Sequence, residues 1–395
     1  MNKKPVLLIL LILILLPIFT GCPEEEENDL APDIKIGAYI RTWSIPQSAR
    51  EPGSAHWNAG MIKGEYLSDL IIAFALIDKK DGCSIYVPDT AYTFSNMWDE
   101  VAALKAKYPR LNVNISVGGA NEAGFSGMAA DTNKRAAFIA NVCDWLDGYN
   151  LDGVDIDWEY PVRPLTGGGP LNQDKETYIL LLQELRGALD ALGEKNGKRY
   201  GLSTAVPANN TFTRDIDVKK AAEFIDSFKL MAYDYYGSWS GTTGHNANLY
   251  RSSYGGSWST NDAVNVYLNA GVPPEKITLG AAFYGRSWDG VKPGTNTDAP
   301  GLFRSGPFTG TSTYEWIDIN RYILQSSTDY IRYWDNAAKA PFLYNGSRWI
   351  SYTDQEQLKA IKRYVKEKKL AGVFVWEYSQ DMKADLLRIL ADSSQ

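Results

Sequence analysis

The chain has 395 residues, 45% hydrophobic and 22% charged, with 34 glycines and 18 prolines. This globular balance excludes disordered, collagen-like and coiled-coil chains, and the length suits one large α/β domain or two smaller ones. A formal charge of −7 supplies no basic field for nucleic acid, and two histidines, His56 and His245, exclude a histidine-rich zinc site and leave a Ser-His-Asp hydrolase few candidate bases. The 12 Trp, 24 Tyr and 13 Phe serve either a core or a cleft whose flat walls pack on the C–H faces of sugars.

The N-terminus reads as an address. Lys3 and Lys4 precede an apolar run from Val6 to Phe19, too short for a comfortable membrane span and laid out like an export signal. Phe19-Thr20-Gly21-Cys22 resembles a bacterial lipobox, with phenylalanine where leucine is usual. That resemblance implies loss of residues 1–21 and a lipid on Cys22, holding the protein to the cell envelope and facing outward. A plain secretory signal is the alternative, and a soluble protein with unmodified Cys22 would favour it. Residues 22–33 carry six acids and read as a solvated linker, which leaves the rest of the chain closer to neutral.

Beyond residue 34, short β-branched runs alternate with amphipathic stretches. Strands are expected at 34–40, 70–76, 111–117, 153–157, 201–206, 227–233, 277–283 and 372–376. Helices are expected at 97–107, 134–148, 174–193, 218–224, 260–270 and 354–368. This is the pattern of an α/β fold, a (β/α)₈ TIM barrel over residues 34–395, in which chemistry sits where strands end. The Gly-, Pro-, Tyr- and Thr-rich interval 289–351 reads as a small α+β insertion between strand seven and its helix. Cys143 shares a helical pattern with Phe138, Ile139, Val142, Trp145 and Leu146 and reads as a buried thiol; a disulfide to Cys83 stays open in an oxidising compartment.

The most informative stretch is Leu151-Asp152-Gly153-Val154-Asp155-Ile156-Asp157-Trp158-Glu159-Tyr160-Pro161. Asp155, Asp157 and Glu159 are two residues apart, so a strand points all three to one face, about 6.5–7 Å between neighbours. Asp152 and Trp158 take the other parity, which suits structural roles. Three ionised carboxylates inside a barrel repel one another and resist desolvation, so at least one keeps a proton and serves as a general acid near neutral pH. A divalent metal site is the rival, though it calls for more oxygens and looser spacing. A proton donor beside a stabilising carboxylate is the equipment of glycoside hydrolysis. The spacing does not name a nucleophile.

With these residues in view, the chain resembles the family 18 glycoside hydrolases, chitinases in particular. Asp152, Gly153, Asp155, Asp157 and Glu159 meet the DGxDxDxE pattern. Ser116-Val117-Gly118-Gly119 meets SxGG, and Met231-Ala232-Tyr233-Asp234 meets MxYD. Tyr284-Gly285-Arg286 matches the YGR segment that opens the insertion of the larger members, and Trp376 matches the tryptophan ending strand eight.

The resemblance implies substrate-assisted, retaining hydrolysis of β-1,4-linked N-acetylglucosamine polymers, with no cofactor and no metal. Glu159 would be the acid and then the base. The substrate's N-acetyl oxygen would attack the anomeric carbon, with Asp157 orienting that group and sharing a proton with Asp155. Tyr233 would bind the acetamido carbonyl beside Asp234, and Trp376 would floor the sugar. Tyr39 and Ser116 would tune the acids, and Phe74, Gly118, Gly119, Met231, Tyr284 and Arg286 would complete the substrate site. The expected partner is chitin or its oligomers, and the expected state is a monomer. An endo-β-N-acetylglucosaminidase acting on glycoprotein glycans and a non-catalytic chitin-binding lectin are the alternatives. Three positions depart from the family's habits: Ala120 where tryptophan commonly follows the glycines, Trp288 for phenylalanine and Tyr236 for histidine. His56, in a loop, and His245, in a Gly/Asn-rich turn, are expected to be structural or rim residues rather than catalysts.

Overall fold

The computed structural model describes residues 33–394 except 53, 89–95, 121, 166–170 and 307–312, so the expected signal and Cys22 lie outside the described residues. Among the described residues eight strands form the barrel: β1 Lys35–Arg41, β2 Asp69–Ile77, β3 Asn112–Gly118, β4 Gly153–Asp157, β5 Gly201–Pro207, β6 Ser227–Met231, β7 Ile277–Ala282 and β8 Gly372–Trp376. All pair in parallel in chain order, and β1 bonds to both β2 and β8, which closes the barrel. Strand parity separates two environments. Val113, Ile115, Val117, Val154, Ile156, Phe228 and Leu230 join the main apolar core, while residues of the opposite parity line the barrel axis.

The helices form because their apolar residues fall on one face. In Asp174–Asn196, Tyr178, Leu181, Leu182, Leu185 and Leu189 are buried, and the helix stops where Gly197 takes φ = 68°. Gln355–Lys368 starts on Asp354, whose side chain accepts from the Gln357 amide at 3.0 Å. The expected helix at 218–224 is shorter, Val218–Ala221, and helices Phe125–Ala130 and Asn210–Asp215 join the set. Segments this short carry too few turns for a period to show.

The expected strand at 227–233 ends at Met231. There the Ala232 amide turns back to the Leu230 carbonyl at 2.7 Å and Asp234 adopts φ = 60°, which lifts Tyr233 and Asp234 off the ladder into the barrel mouth. After β7 the chain enters a second, antiparallel sheet of Thr313–Glu315, Tyr284–Trp288, Trp349–Ser351, Ala340–Tyr344 and Ile331–Asp335, in that spatial order. Its first strand begins at Tyr284, so the sheet takes in residues before 289. Trp288, Val291, Phe342, Tyr344 and Trp349 give it a core of its own. Of the two expected places for His245 the structural one holds: it is buried beside this core, with Nε2 3.1 Å from Asp335 Oδ2. Cys83 and Cys143 are free, partly buried thiols, so the disulfide is absent.

Candidate active site

β4 delivers the acids. Asp155 lies deep in the barrel, fully buried, and both its oxygens are occupied. Oδ2 accepts from the Tyr39 hydroxyl at 2.7 Å and the Ser116 hydroxyl at 2.8 Å. Oδ1 accepts from the Ser203 hydroxyl at 2.6 Å and Lys229 Nζ at 3.1 Å. Burial works to raise this carboxyl's proton affinity, but the Lys229 ammonium and the three hydroxyls outweigh it and hold the group below the usual carboxylate range.

One step toward the mouth, Asp157 is under the opposite influence. Burial, then the charges of Glu159 and Asp155, push its carboxyl well above the ordinary range. Asp157 and Glu159 share a hydrogen bond, and the Glu159 carboxyl is itself raised, chiefly by burial, with the Asp234 charge adding to it. The Tyr160 hydroxyl works the other way on Glu159, favouring its ionised form. Asp157 Oδ1 is buried without a hydrogen-bond partner. Asp157 thus lies under the charges of both neighbours, Glu159 acting on it more strongly than Asp155.

Two glycines let the chain pass close to this pair. Gly118 has φ = 124°, and a Cβ there would meet the Asp157 carbonyl oxygen at 2.0 Å; Gly119, at φ = 101°, lies against the Phe74 ring. The Gly119 amide donates to that same Asp157 carbonyl at 2.9 Å. Around the acids opens a groove of about 900 Å³. One wall is a run of rings, Trp376 stacked on Phe74 at 5.6 Å and Phe74 on Trp43 at 6.3 Å, with Tyr39 tilted against Trp376. The inserted sheet supplies the facing side. Arg286 donates to Asp234 Oδ1 from Nε at 3.0 Å and Nη2 at 2.7 Å, and the Tyr284 hydroxyl reaches the same oxygen at 2.8 Å.

The sequence-expected residues converge. Tyr39, Phe74, Gly118, Gly119, Asp157, Glu159, Met231, Tyr233, Asp234, Tyr284, Arg286 and Trp376 line the groove, while Asp155 and Ser116 sit beneath it. Exposed Ala120 also lines it, as does Tyr236, whereas Trp288 is buried in the inserted sheet. Sequence reasoning missed Trp43, Tyr160, Ser203 and Lys229. Lys229 was within reach of it: Lys229, Met231 and Tyr233 share one parity, so a strand that aims Met231 inward aims Lys229 inward too.

Carboxyls pushed toward their protonated forms inside an aromatic-walled groove suit proton transfer to the leaving oxygen of a sugar, the equipment of the glycoside hydrolases. Residues 35–381 match the family model for Glycosyl hydrolases family 18, and the chain belongs to that family. It is 37% identical to Chitinase A1 of Niallia circulans over 333 residues, 75% of this chain and 47% of that protein. It is 31% identical to Chitotriosidase-1 of Mus musculus, covering 88% of this chain and 73% of that one. A family 18 N-acetylglucosaminidase from Paenibacillus barengoltzii superposes with a TM-score of 0.78 at 32% identity, over 91% of this chain and 99% of that chain. The chain spans about half the length of Chitinase A1.

Not every acid of the motif belongs to the chemistry. Asp152 faces out of the barrel, where it accepts from the Val113 amide at 2.8 Å and pairs with Lys105 and Lys198. Trp158 is buried and stacked on Phe125 at 5.2 Å. Asp152→Asn is expected to lower unfolding free energy by about 1–2 kcal/mol, discounted for partial exposure, and to leave kcat unchanged. Denaturant titration and turnover measured on one preparation check both halves.

Proposed function

We propose that the protein is a chitinase, hydrolysing β-1,4-linked N-acetylglucosamine polymers with retention by substrate-assisted catalysis. The observation that carries this reading is the contact between Asp157 and Glu159 with Asp157 Oδ1 left unpartnered in the groove. A two-carboxylate retaining enzyme places an ionised nucleophile about 5–5.5 Å from its acid. Here burial and the charges of Glu159 and Asp155 push the Asp157 carboxyl well above the ordinary range, which makes it a poor nucleophile. Asp234, the next carboxylate in the groove, is occupied by Arg286 and Tyr284. The nucleophile then has to arrive with the substrate, and an acetamido oxygen fits.

Glu159 donates its proton to the glycosidic oxygen while the acetamido carbonyl oxygen attacks the anomeric carbon. Asp157 Oδ1 accepts from the acetamido N–H, and the Asp157–Glu159 pair, left one proton short when Glu159 gives its proton away, carries the negative charge that balances the oxazolinium. Tyr233, lining the groove, bonds the acetamido carbonyl. Ionised Glu159 then takes a proton from water as it opens the ring, which restores the acid. The ring wall of Trp376, Phe74 and Trp43 supports a row of neutral sugars.

Time-resolved analysis of chitin hexamer cleavage tests the reading. Products are expected first as the β-anomer, and initial α-anomers would contradict it. The same time course separates internal cleavage from release of single N-acetylglucosamine units, the second reading favoured by the full-length similarity to the Paenibacillus N-acetylglucosaminidase.

A further inference from the structure

Lys229 is an uncommon guest in a barrel interior. It is 7% exposed on β6, and its ammonium reaches Asp155 Oδ1 at 3.1 Å and the Ser203 hydroxyl at closer range. Burying an ammonium is costly unless an anion and hydrogen bonds answer it, and here Asp155 is that anion. Five strands contribute to the cluster: Tyr39 from β1, Ser116 from β3, Asp155 from β4, Ser203 from β5 and Lys229 from β6. The donors fill both oxygens of Asp155, whereas Asp157 Oδ1 is buried without a hydrogen-bond partner.

We propose that Lys229 is a positioning residue that holds Asp155 as a permanent anion and so confines the mobile proton of the site to Asp157 and Glu159. The assignment rests on the reading of Glu159 as general acid, but its first consequence does not need turnover. Asp155 stays ionised while the pair above it gains and loses a proton, because a proton on Asp155 would abolish its attraction to Lys229.

The groups that bear on these titrations come from every side. Asp155 faces Lys229, Tyr39 and Asp157, with Tyr178 behind it on its helix. Glu159 faces Asp157, Tyr160, Tyr233 and Asp234, the last already paired with Arg286. Lys229 is the cation among those that act on Asp155 and Asp157. Its removal should therefore raise the proton affinity of all the carboxyls near it.

The experiment is a ¹³C-carboxyl titration of the aspartates, with the pH profile of kcat/KM measured beside it, for the parent and Lys229→Met. In the parent, Asp155 is expected to remain ionised through the range in which the Asp157–Glu159 pair titrates. In Lys229→Met, the Asp155 titration and the alkaline limb of the profile are both expected to move up by about one pH unit or more. Parent Asp155 taking a proton before Asp157 overturns the proposal, as does a folded Lys229→Met with both titration and profile unmoved. If that variant does not fold, the parent titration alone decides. A parent that leaves N-acetylglucosamine oligomers intact would refute the chitinase reading while the Asp155 titration still judged Lys229.

Discussion

Glu159→Gln is expected to lower kcat on N-acetylglucosamine oligomers by about 10²–10⁴-fold, because glutamine keeps the hydrogen-bonding shape of the acid but has no proton to give. Circular dichroism should be unchanged, and calorimetry should still detect oligomer binding in the ring-walled groove. The stability consequence has a definite sign. Burial raises the Glu159 carboxyl, so the folded state holds its proton more tightly than the unfolded chain. Folding stability from this group therefore falls as pH rises from the ordinary carboxylate range toward the raised value. Glutamine removes that loss, and the variant's Tm at neutral pH should equal or exceed the parent's. Undiminished turnover in a folded Glu159→Gln would end the assignment of Glu159 as the acid.

Asp157→Asn tests the other half of the pair. It should lower kcat by about 10²–10³-fold, the scale of losing one preorganised electrostatic contact to a charged intermediate. The pH profile should also move, and in the opposite direction from Lys229→Met. Asp157 holds the last proton of the pair against the charges of Glu159 and Asp155, and asparagine takes that titration away, leaving Glu159 alone to set the limb. The alkaline limb of kcat/KM is then expected to shift toward acid. A variant with reduced kcat and an unmoved limb would assign Asp157 to acetamido binding alone and contradict the shared proton.

Much of this site is legible along the chain because strand geometry is local. A period of two puts Asp155, Asp157 and Glu159 on one face whatever the rest of the molecule does, and it sends Asp152 and Trp158 to the other. The buried runs of β1 to β8 were readable for a similar reason, since a parallel barrel strand is covered on both faces and must be apolar outward. Short helices such as Phe125–Ala130 lack the turns to reveal themselves. Trp43 was missed for another reason: its place in the ring wall depends on Phe74 and Trp376, which come from distant strands.

What the sequence alone determined is the chemistry on offer: a barrel, two acids on one face of its fourth strand with a third just past its end, two glycines, a tyrosine and a tryptophan at strand ends. What only the tertiary structure decided is how the protons and charges are shared among them. Asp155 and Asp157 are the same residue type, two positions apart on one strand, yet their carboxyls are pushed in opposite directions from the ordinary range. Lys229, 74 positions along the chain, meets Asp155 across the barrel axis. Burial and Glu159 act on Asp157 instead. Electrostatic energy depends on distance and on exclusion of water, and both are set by barrel closure rather than by spacing along the chain.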